Sequence, residues 1–205
     1  KAAAANMGFN IDAEEQDRLD LSLDVIEAIL SDPELKDWQG FGVVVQAFGK
    51  RASQTLDWLY ALSEKLDRRI MVRLVKGAYW DAEIKRAQVM GLSDFPVFTR
   101  KACSDVAYLA GARKLLAMTD RIYPQFATHN AHTVAVVRAL AGDKAFEFQR
   151  LHGMGHLLYD ELQDEDPELP VRVYAPVGNH RDLLPYLVRR LLENGANSSF
   201  VNRFL

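Results

Sequence analysis

Short runs of β-prone residues alternate with longer amphipathic stretches along this chain, so strand and helix follow each other in turn. The runs at 43–45 and 71–75 are almost continuously apolar, which is typical of parallel strands buried on both faces. The pattern predicts strands at 7–12, 42–48, 70–76, 125–129, 146–151 and 171–174. It predicts helices at 14–30, 53–66, 82–90, 101–116, 133–140, 157–162 and 181–193, and residues 1–5 resemble the tail of another helix.

Polar residues fall where the predicted strands end, which favours a barrel over an open sheet. These residues are Asp12, Gln46, Arg73 with Lys76, Thr128 with His129 and Asn130, Gln149, and Tyr174. In an eight-stranded α/β barrel such ends form one rim, where barrel enzymes place their chemistry. No G-x-G-x-x-G motif follows the first strand, which disfavours a doubly wound dinucleotide-binding fold.

The predicted fold class is therefore α/β, a distorted (βα)8 TIM-like barrel with only about six strand–helix units in this chain. A closed barrel typically needs about 250 residues, and the chain has 205. We expect residues 1–205 to form the C-terminal portion of a barrel whose first strands lie upstream. An open six-stranded parallel sheet is the alternative.

Composition narrows the class of protein further. The hydrophobic content of 49% supports a sizeable core, and a net charge of −3 gives no electrostatic reason to expect a nucleic-acid partner. The single cysteine, Cys103, excludes an intrachain disulfide and suits the reducing cytoplasm. We therefore expect a cytoplasmic protein. No apolar run in the sequence is long enough to cross a membrane.

Two adjacent arginines, Arg189 and Arg190, lie on the last predicted helix. Tyr186 and Glu193 share their face of that helix, because the spacings from Tyr186 are three, four and seven residues. Guanidinium groups are costly to bury unless an anion meets them, and they bind carboxylates through two parallel hydrogen bonds. The stripe predicts a clamp for a small acid, with a solvated Glu–Arg face as the alternative.

A second cluster spans residues 72–81. Arg73 alternates with apolar neighbours in a buried strand and so needs an anionic partner, for which Asp12 is a candidate. Lys76-Gly77 combines a cation with close backbone approach, which suits a phosphate. Tyr79 and Trp80 offer flat surfaces for a heteroaromatic ring, although they could equally be core aromatics.

Thr128, His129 and Asn130 place a hydroxyl, an imidazole and an amide together at one strand end. The spacing of His129 and His132 suggests a metal site, but His132 should already lie on the next helix. Three different polar groups in a row therefore favour ligand binding.

Six blocks of sequence, in order, resemble the proline dehydrogenase family. They are 10–15 (NIDAEE), 73–80 (RLVKGAYW), 127–130 (ATHN), 148–155 (FQRLHGMG), 174–178 (YAPVG) and 186–198 (YLVRRLLENGANS). The closing block is most similar to the bifunctional bacterial proline-utilization members, whose polypeptide continues into an aldehyde dehydrogenase domain. Members also use a lysine from an earlier strand to pair with the residue at Asp12, and that strand is absent here.

The resemblance implies a barrel that binds FAD and oxidises L-proline to 1-pyrroline-5-carboxylate. Arg73 would lie beside the flavin near its hydride-accepting nitrogen, and Asp12 would sit at the substrate end. The implied contacts to proline are Arg189 and Arg190 at its carboxylate, Tyr174 and Tyr186 along its ring, and Leu151 as an apolar contact. The other implied FAD contacts are Ala13, Gln46, Lys76, Gly77, Ala78, Trp80, Thr99, Lys101, Thr128, His129, Asn130, Gln149 and Glu193.

The resemblance also implies partners beyond proline. They are a quinone that accepts electrons, an aldehyde dehydrogenase domain in the same polypeptide, and peripheral association with the inner membrane. Two other functions are open from the residues alone. One is a barrel lyase or aldolase with Lys76 as a Schiff-base amine and Asp12 as a proton shuttle. The other is a non-catalytic segment that packs against neighbouring domains.

Overall fold

Six parallel strands form one sheet in a computed structural model, which describes residues 1–196 apart from the side chains of 182, 189 and 191–196. The strands are β1 (Phe9–Ile11), β2 (Phe41–Gln46), β3 (Ile70–Val75), β4 (Ile122–Ala127), β5 (Glu147–Leu151) and β6 (Val171–Tyr174). The α-helices are α1 (Leu19–Leu30), α2 (Ala52–Lys65), α3 (Trp80–Val89), α4 (Lys101–Ala117), α5 (Ala131–Ala141), α6 (His156–Glu165) and α7 (His180–Ala196). Short 3-10 helices lie at Ala3–Ala5, Gln16–Arg18 and Pro33–Leu35.

The sheet is curled, as part of a barrel. Its strands pair in the order β1-β2-β3-β4-β5-β6. Right-handed crossovers between parallel strands in sequential order place the connecting helices on one face of a sheet. The Asn10 side chain on β1 donates a hydrogen bond of 3.2 Å to Gln125 on β4. In a flat sheet these strands would be about 14 Å apart, at roughly 4.8 Å per strand spacing. The contact is possible only across the inside of a curved sheet, so the predicted TIM-like architecture is confirmed.

The hydrophobic core lies between the outer face of the sheet and the helices. On β3 the residues Ile70, Val72 and Leu74 are fully buried in this layer, while Met71, Arg73 and Val75 alternate toward the inside. Helices α1, α2, α4, α5 and α6 contribute to the same continuous cluster, for example through Tyr108 and Tyr159. The inner face is therefore free to carry polar groups.

Several boundaries differ from the sequence prediction, including the start of α1, which lies at Leu19 instead of residue 14. Strand β4 begins at Ile122, three residues earlier than predicted, because Pro124 pairs opposite Val72 inside a central strand where a proline is not expected. Strand β1 is shorter than predicted and pairs with β2 over only three residues. Residues 1–5 hold only the 3-10 helix Ala3–Ala5, so the expected helix tail is not seen.

Candidate active site

A cavity of about 590 Å³ opens at the carboxyl ends of the strands. The volume lies within the range typical of sites for cofactors and other small molecules. Thirteen of the residues singled out from the sequence line it: Asp12, Ala13, Gln46, Arg73, Lys76, Gly77, Ala78, Thr128, His129, Asn130, Tyr174, Tyr186 and Arg190. The prediction that the polar strand ends meet at one rim is thus confirmed for each of these ends except Gln149.

Several predicted site residues lie outside the wall of this cavity. Leu151 and Gln149 are buried on β5. Trp80 is partly exposed and donates a hydrogen bond of 2.8 Å to the carbonyl of Phe98. Thr99 is exposed and Lys101 is half-buried. The side chains of Arg189 and Glu193 lie outside the described residues.

Arg73 is the central cation of the cavity. Strand alternation points it inward, and its Nη1 donates a hydrogen bond of 2.9 Å to Oδ1 of Asp12. Its guanidinium carbon lies 5.5 Å from the ring centroid of Tyr174, within range of a cation–π interaction. Its Nε is buried without a partner among the described residues. Arg73 is thus held by two protein groups and still has a donor to offer a ligand.

A second arginine, Arg190, reaches the cavity from helix α7. Its guanidinium carbon lies 4.5 Å from the ring centroid of Tyr186, one helical turn earlier. The predicted helical face is therefore confirmed for these two residues, while Leu187 and Val188 on the other side are about half exposed. A guanidinium group that stacks on an aromatic ring has a planar fork of donors whose geometry matches a carboxylate.

The loop after β3 approaches the cavity with its backbone. Gly77 has a φ of 136°, and a Cβ added to it would lie 2.6 Å from the ring of Phe48. The next residue, Ala78, donates its N–H to Oε1 of Gln46 at 2.9 Å. Gln46 in turn donates from Nε2 to the carbonyl of Glu14 at 2.8 Å. Gln46 therefore ties two rim loops together, in addition to any contact with a ligand.

Replacing Gly77 by alanine should displace this loop, because the new methyl group collides with Phe48 and the backbone angle disfavours a side chain. We expect a loss of about 1–3 kcal/mol in the free energy of unfolding, measured by chemical denaturation. Gly91→Ala is the matched control, since Gly91 also has a positive φ of 61° but nothing lies within 4 Å of its added Cβ. Equal losses in the two variants would contradict a role for the Phe48 contact.

Two lysines, Lys76 in the wall of the cavity and Lys101 near it, form a positively charged group. Lys76 forms an ion pair with Asp105 of α4. Burial and the charge of Lys76 lower the pKa of Lys101, while Asp105 opposes the shift. Two lysines that share one carboxylate leave a net positive charge, which would favour an anionic group of a ligand here.

His129 has a fixed tautomer. Its Nε2 accepts a hydrogen bond of 3.0 Å from the backbone N–H of Leu151, which can only donate. The neutral ring must therefore carry its proton on Nδ1. Burial, assisted by the charge of Arg150, lowers the pKa of His129 below its ordinary value of 6.5. The structure thus favours a neutral imidazole at this strand end.

A fall in stability below pH 6.5 should follow from this environment. The folded pKa is depressed, so the contribution of His129 is complete above about 6.5 and is lost as the pH falls below that value. We expect His129→Gln, which keeps an acceptor but cannot titrate, to lose less stability than the unsubstituted protein between pH 7.5 and 5.5. Urea midpoints at the two pH values measure this difference, and identical shifts would contradict it.

Sequence reasoning missed several cavity residues. Val44 and Val75 face inward, but their near-continuous apolar runs hide which residues face inside. Tyr79 was noticed as a flat surface but not assigned to the site, although it lines the cavity with Met154 from the loop after β5. Glu147 does not line the cavity, but its place beside the site could have been found, because it precedes Gln149 and Leu151 by two and four residues on the same face of β5.

Comparisons with known proteins point to one family. A family model described as proline dehydrogenase matches residues 1–203. The chain is 57% identical over 206 residues to the bifunctional protein PutA of Escherichia coli K12, covering 97% of this chain and 16% of that protein. It is 58% identical to PutA of Rhizobium meliloti, again over 97% of the chain and 16% of the relative. The chain thus spans about a sixth of the length of these curated relatives.

Solved structures agree with the sequence comparisons. The fold superposes on a variant of Bradyrhizobium japonicum proline utilization A with a TM-score of 0.93 and 63% identity, covering 98% of this chain and 21% of that one. It also matches proline utilization A from Bdellovibrio bacteriovorus, inactivated by N-propargylglycine, with a TM-score of 0.90 and 36% identity. That match covers 97% of this chain and 21% of the other.

Proposed function

We propose, on the premise that this chain belongs to the proline dehydrogenase family, that it forms the substrate and flavin site of an enzyme that oxidises L-proline to 1-pyrroline-5-carboxylate. One observation carries the proposal. Two arginines, Arg73 and Arg190, lie each against a tyrosine ring in one cavity at the carboxyl ends of parallel strands. We further propose that residues 1–205 are the C-terminal portion of a (βα)8 barrel.

The polar groups of the inner face fit a flavin. A flavin ring carries both hydrogen-bond acceptors and an N–H donor on one edge. Arg73 offers a buried Nε donor and Gln149 a buried Oε1 acceptor, each without a partner among the described residues. The chain's contacts to FAD would be Arg73 and Gln149 with Ala13, Gln46, Lys76, Gly77, Ala78, Trp80, Thr99, Lys101, Thr128, His129, Asn130 and Glu193.

FAD supplies the oxidised ring that takes up the hydride from the substrate carbon. The side chains of the cavity would orient the substrate and stabilise the charge that develops during the reaction. Arg73 places a positive charge where negative charge grows during the reaction, and its contacts with Asp12 and Tyr174 hold it there beforehand. Because Asp12 and Tyr174 fix the position of Arg73, little reorganisation is needed when the substrate reacts.

The substrate end of the cavity suits a small cyclic amino acid. Arg190, with Arg189, would bind the carboxylate, and Tyr174, Tyr186 and Leu151 would offer apolar surface to the pyrrolidine ring. Asp12 is a carboxylate with a side chain 72% exposed, so it can balance the positive charge of the arginines or accept a proton through water. Fixing both ends of proline orients its reactive carbon.

The lyase alternative is disfavoured by the environment of Lys76. A Schiff-base lysine must attack as a neutral amine, usually in an apolar pocket. Lys76 instead forms an ion pair with Asp105, and its side chain is only 19% exposed. A held ammonium group suits an anion of a cofactor better than nucleophilic attack. The non-catalytic alternative gives no role to Arg73 Nε and Gln149 Oε1, two of the buried groups that have no partner among the described residues.

The relatives suggest further partners. Because the matched PutA proteins are bifunctional and far longer than this chain, we propose an aldehyde dehydrogenase domain in the same polypeptide. We also propose a quinone as electron acceptor and peripheral contact of a cytoplasmic protein with the inner membrane. Within residues 1–196 no helix is long and apolar enough to cross a membrane.

A visible absorption spectrum of the intact protein, recorded before and after anaerobic addition of L-proline, tests the proposal. We expect flavin bands that bleach when proline is added. Bands that do not respond to proline would overturn the substrate assignment. A protein that retains no flavin, even when FAD is supplied, would overturn the proposed function altogether.

A further inference from the structure

The carboxylate of Glu147 is the centre of a polar network on the inner face of the sheet. Glu147 is 3% exposed, and its Oε1 accepts hydrogen bonds from Nε2 of Gln125 at 2.9 Å and Nε2 of Gln149 at 2.7 Å. Arg172 of β6 donates to both carboxylate oxygens, each at 2.8 Å. A buried carboxylate with so many donors is fixed in orientation and stays charged.

The charge of Glu147 is supported by its surroundings. Burial alone would raise the pKa of this carboxyl group, but the hydrogen bonds and charge of Arg172, together with the two glutamines, lower the pKa below its ordinary value. As a carboxylate, Glu147 can only accept hydrogen bonds. Each glutamine must therefore turn its NH₂ group toward Glu147 and its oxygen away.

The amide oxygens of Gln125 and Gln149 differ in their hydrogen-bond partners. The oxygen of Gln125 accepts from Asn10, so that amide is satisfied at both ends. The oxygen of Gln149 is buried and has no partner among the described residues. Gln149 pairs across the ladder with Ala127, which lines the cavity. A buried acceptor at this place calls for a donor from beyond the described residues, such as a bound ligand.

We propose that Glu147 is a positioning residue, which holds Gln149 with its amide oxygen ready to accept a hydrogen bond from the ring N–H of a bound flavin. This inference rests on the proposed function and adds a residue to it. Glu147 touches neither substrate nor cofactor, and it acts through the orientation of the Gln149 amide. With a neutral residue at 147, that amide can turn over and present its NH₂ group, which repels the flavin N–H.

Discrimination between two flavins tests this role. The intact apoprotein is titrated with FAD and with an FAD analogue in which the N3–H is replaced by N3–methyl, and the ratio of the two dissociation constants is measured. We expect the unsubstituted protein to prefer FAD by about tenfold or more, beyond the steric penalty seen with Gln149→Met. In Glu147→Gln the ratio should fall to the value of Gln149→Met.

Glu165→Gln is the control, because Glu165 also pairs with an arginine, Arg138, but on the surface. It should keep the full ratio. An unsubstituted protein with the same ratio as Gln149→Met would overturn the inference, and so would a folded Glu147→Gln that keeps the full ratio. If Glu147→Gln does not fold, Gln149→Met decides: an unchanged ratio overturns the inference and a reduced one supports it.

A failure of the role proposed for Glu147 can be distinguished from a failure of the proposed function. A protein that binds neither flavin, or binds FAD that proline does not bleach, counts against the proposed function. A protein that binds both flavins, shows bleaching by proline and does not distinguish N3–H from N3–methyl overturns only the role of Glu147.

Discussion

Replacement of Arg73 by alanine should lower kcat for proline oxidation by on the order of 10²–10³-fold, with a smaller change in KM. Arg73 is the cation held by Asp12 and Tyr174, and in the proposed function it acts where negative charge develops. Its loss therefore raises the energy of the transition state more than that of bound proline. Steady-state kinetics with a soluble electron acceptor and FAD at saturation measure the effect.

Arg121→Ala is the matched control for Arg73→Ala. Arg121 also forms an Arg–Asp salt bridge, of 2.6 Å with Asp67, but it lies next to the amino end of β4, away from the cavity. It should leave kcat within a factor of about two, because exposed salt bridges contribute little. A kcat for Arg73→Ala that matches this control would contradict the assigned role.

Replacement of Arg190 by alanine should raise KM for proline by about 10- to 100-fold, the effect expected for loss of a charge-assisted hydrogen bond to a carboxylate. The effect on kcat should be smaller, since the carboxylate is bound in the ground state as well as in the transition state. Arg190→Lys should fall between, because lysine keeps the charge but not the planar fork. Initial rates over a range of proline concentrations separate the two constants.

Arg181→Ala, an exposed arginine in the first turn of the same helix, provides the comparison for Arg190. Both substitutions remove one positive charge from α7, so a general electrostatic effect would appear in both. An unchanged KM in Arg190→Ala, or an equal rise in Arg181→Ala, would mean that Arg190 does not bind the substrate carboxylate.

The architecture was predictable because it depends on the periodic alternation of apolar and polar residues along the chain. Alternation on β3 distinguishes the buried Ile70, Val72 and Leu74 from the inward Arg73, and the polar residues at the strand ends predict a common rim. The start of β4 was less predictable, since Pro124 resembles a strand breaker. Pro124 pairs with Val72 of β3 but precedes Gln125, where the pairing of β4 with β5 begins, so it has a neighbouring strand on one side only.

The details of the site were harder to predict, because spacing gives the face of a residue but not its partners. The sequence places Gln46 at a strand end, yet it cannot reveal that both ends of this amide join rim loops. The convergence of Gln125, Gln149 and Arg172 on Glu147 depends on the curvature of three adjacent strands. Such contacts emerge only when the register between strands is known.

The sequential strand order has a consequence for the order of events in folding. Each strand pairs with its neighbour in sequence. The hydrophobic layer between the sheet and the helices can therefore grow one strand–helix unit at a time. The hydrogen bond between Asn10 and Gln125 joins residues 115 positions apart. Closing so long a loop costs conformational entropy, and strands β2 and β3 must pair before the two side chains can meet. The polar lining of the barrel should therefore form late in folding, after the hydrophobic layer that supports it.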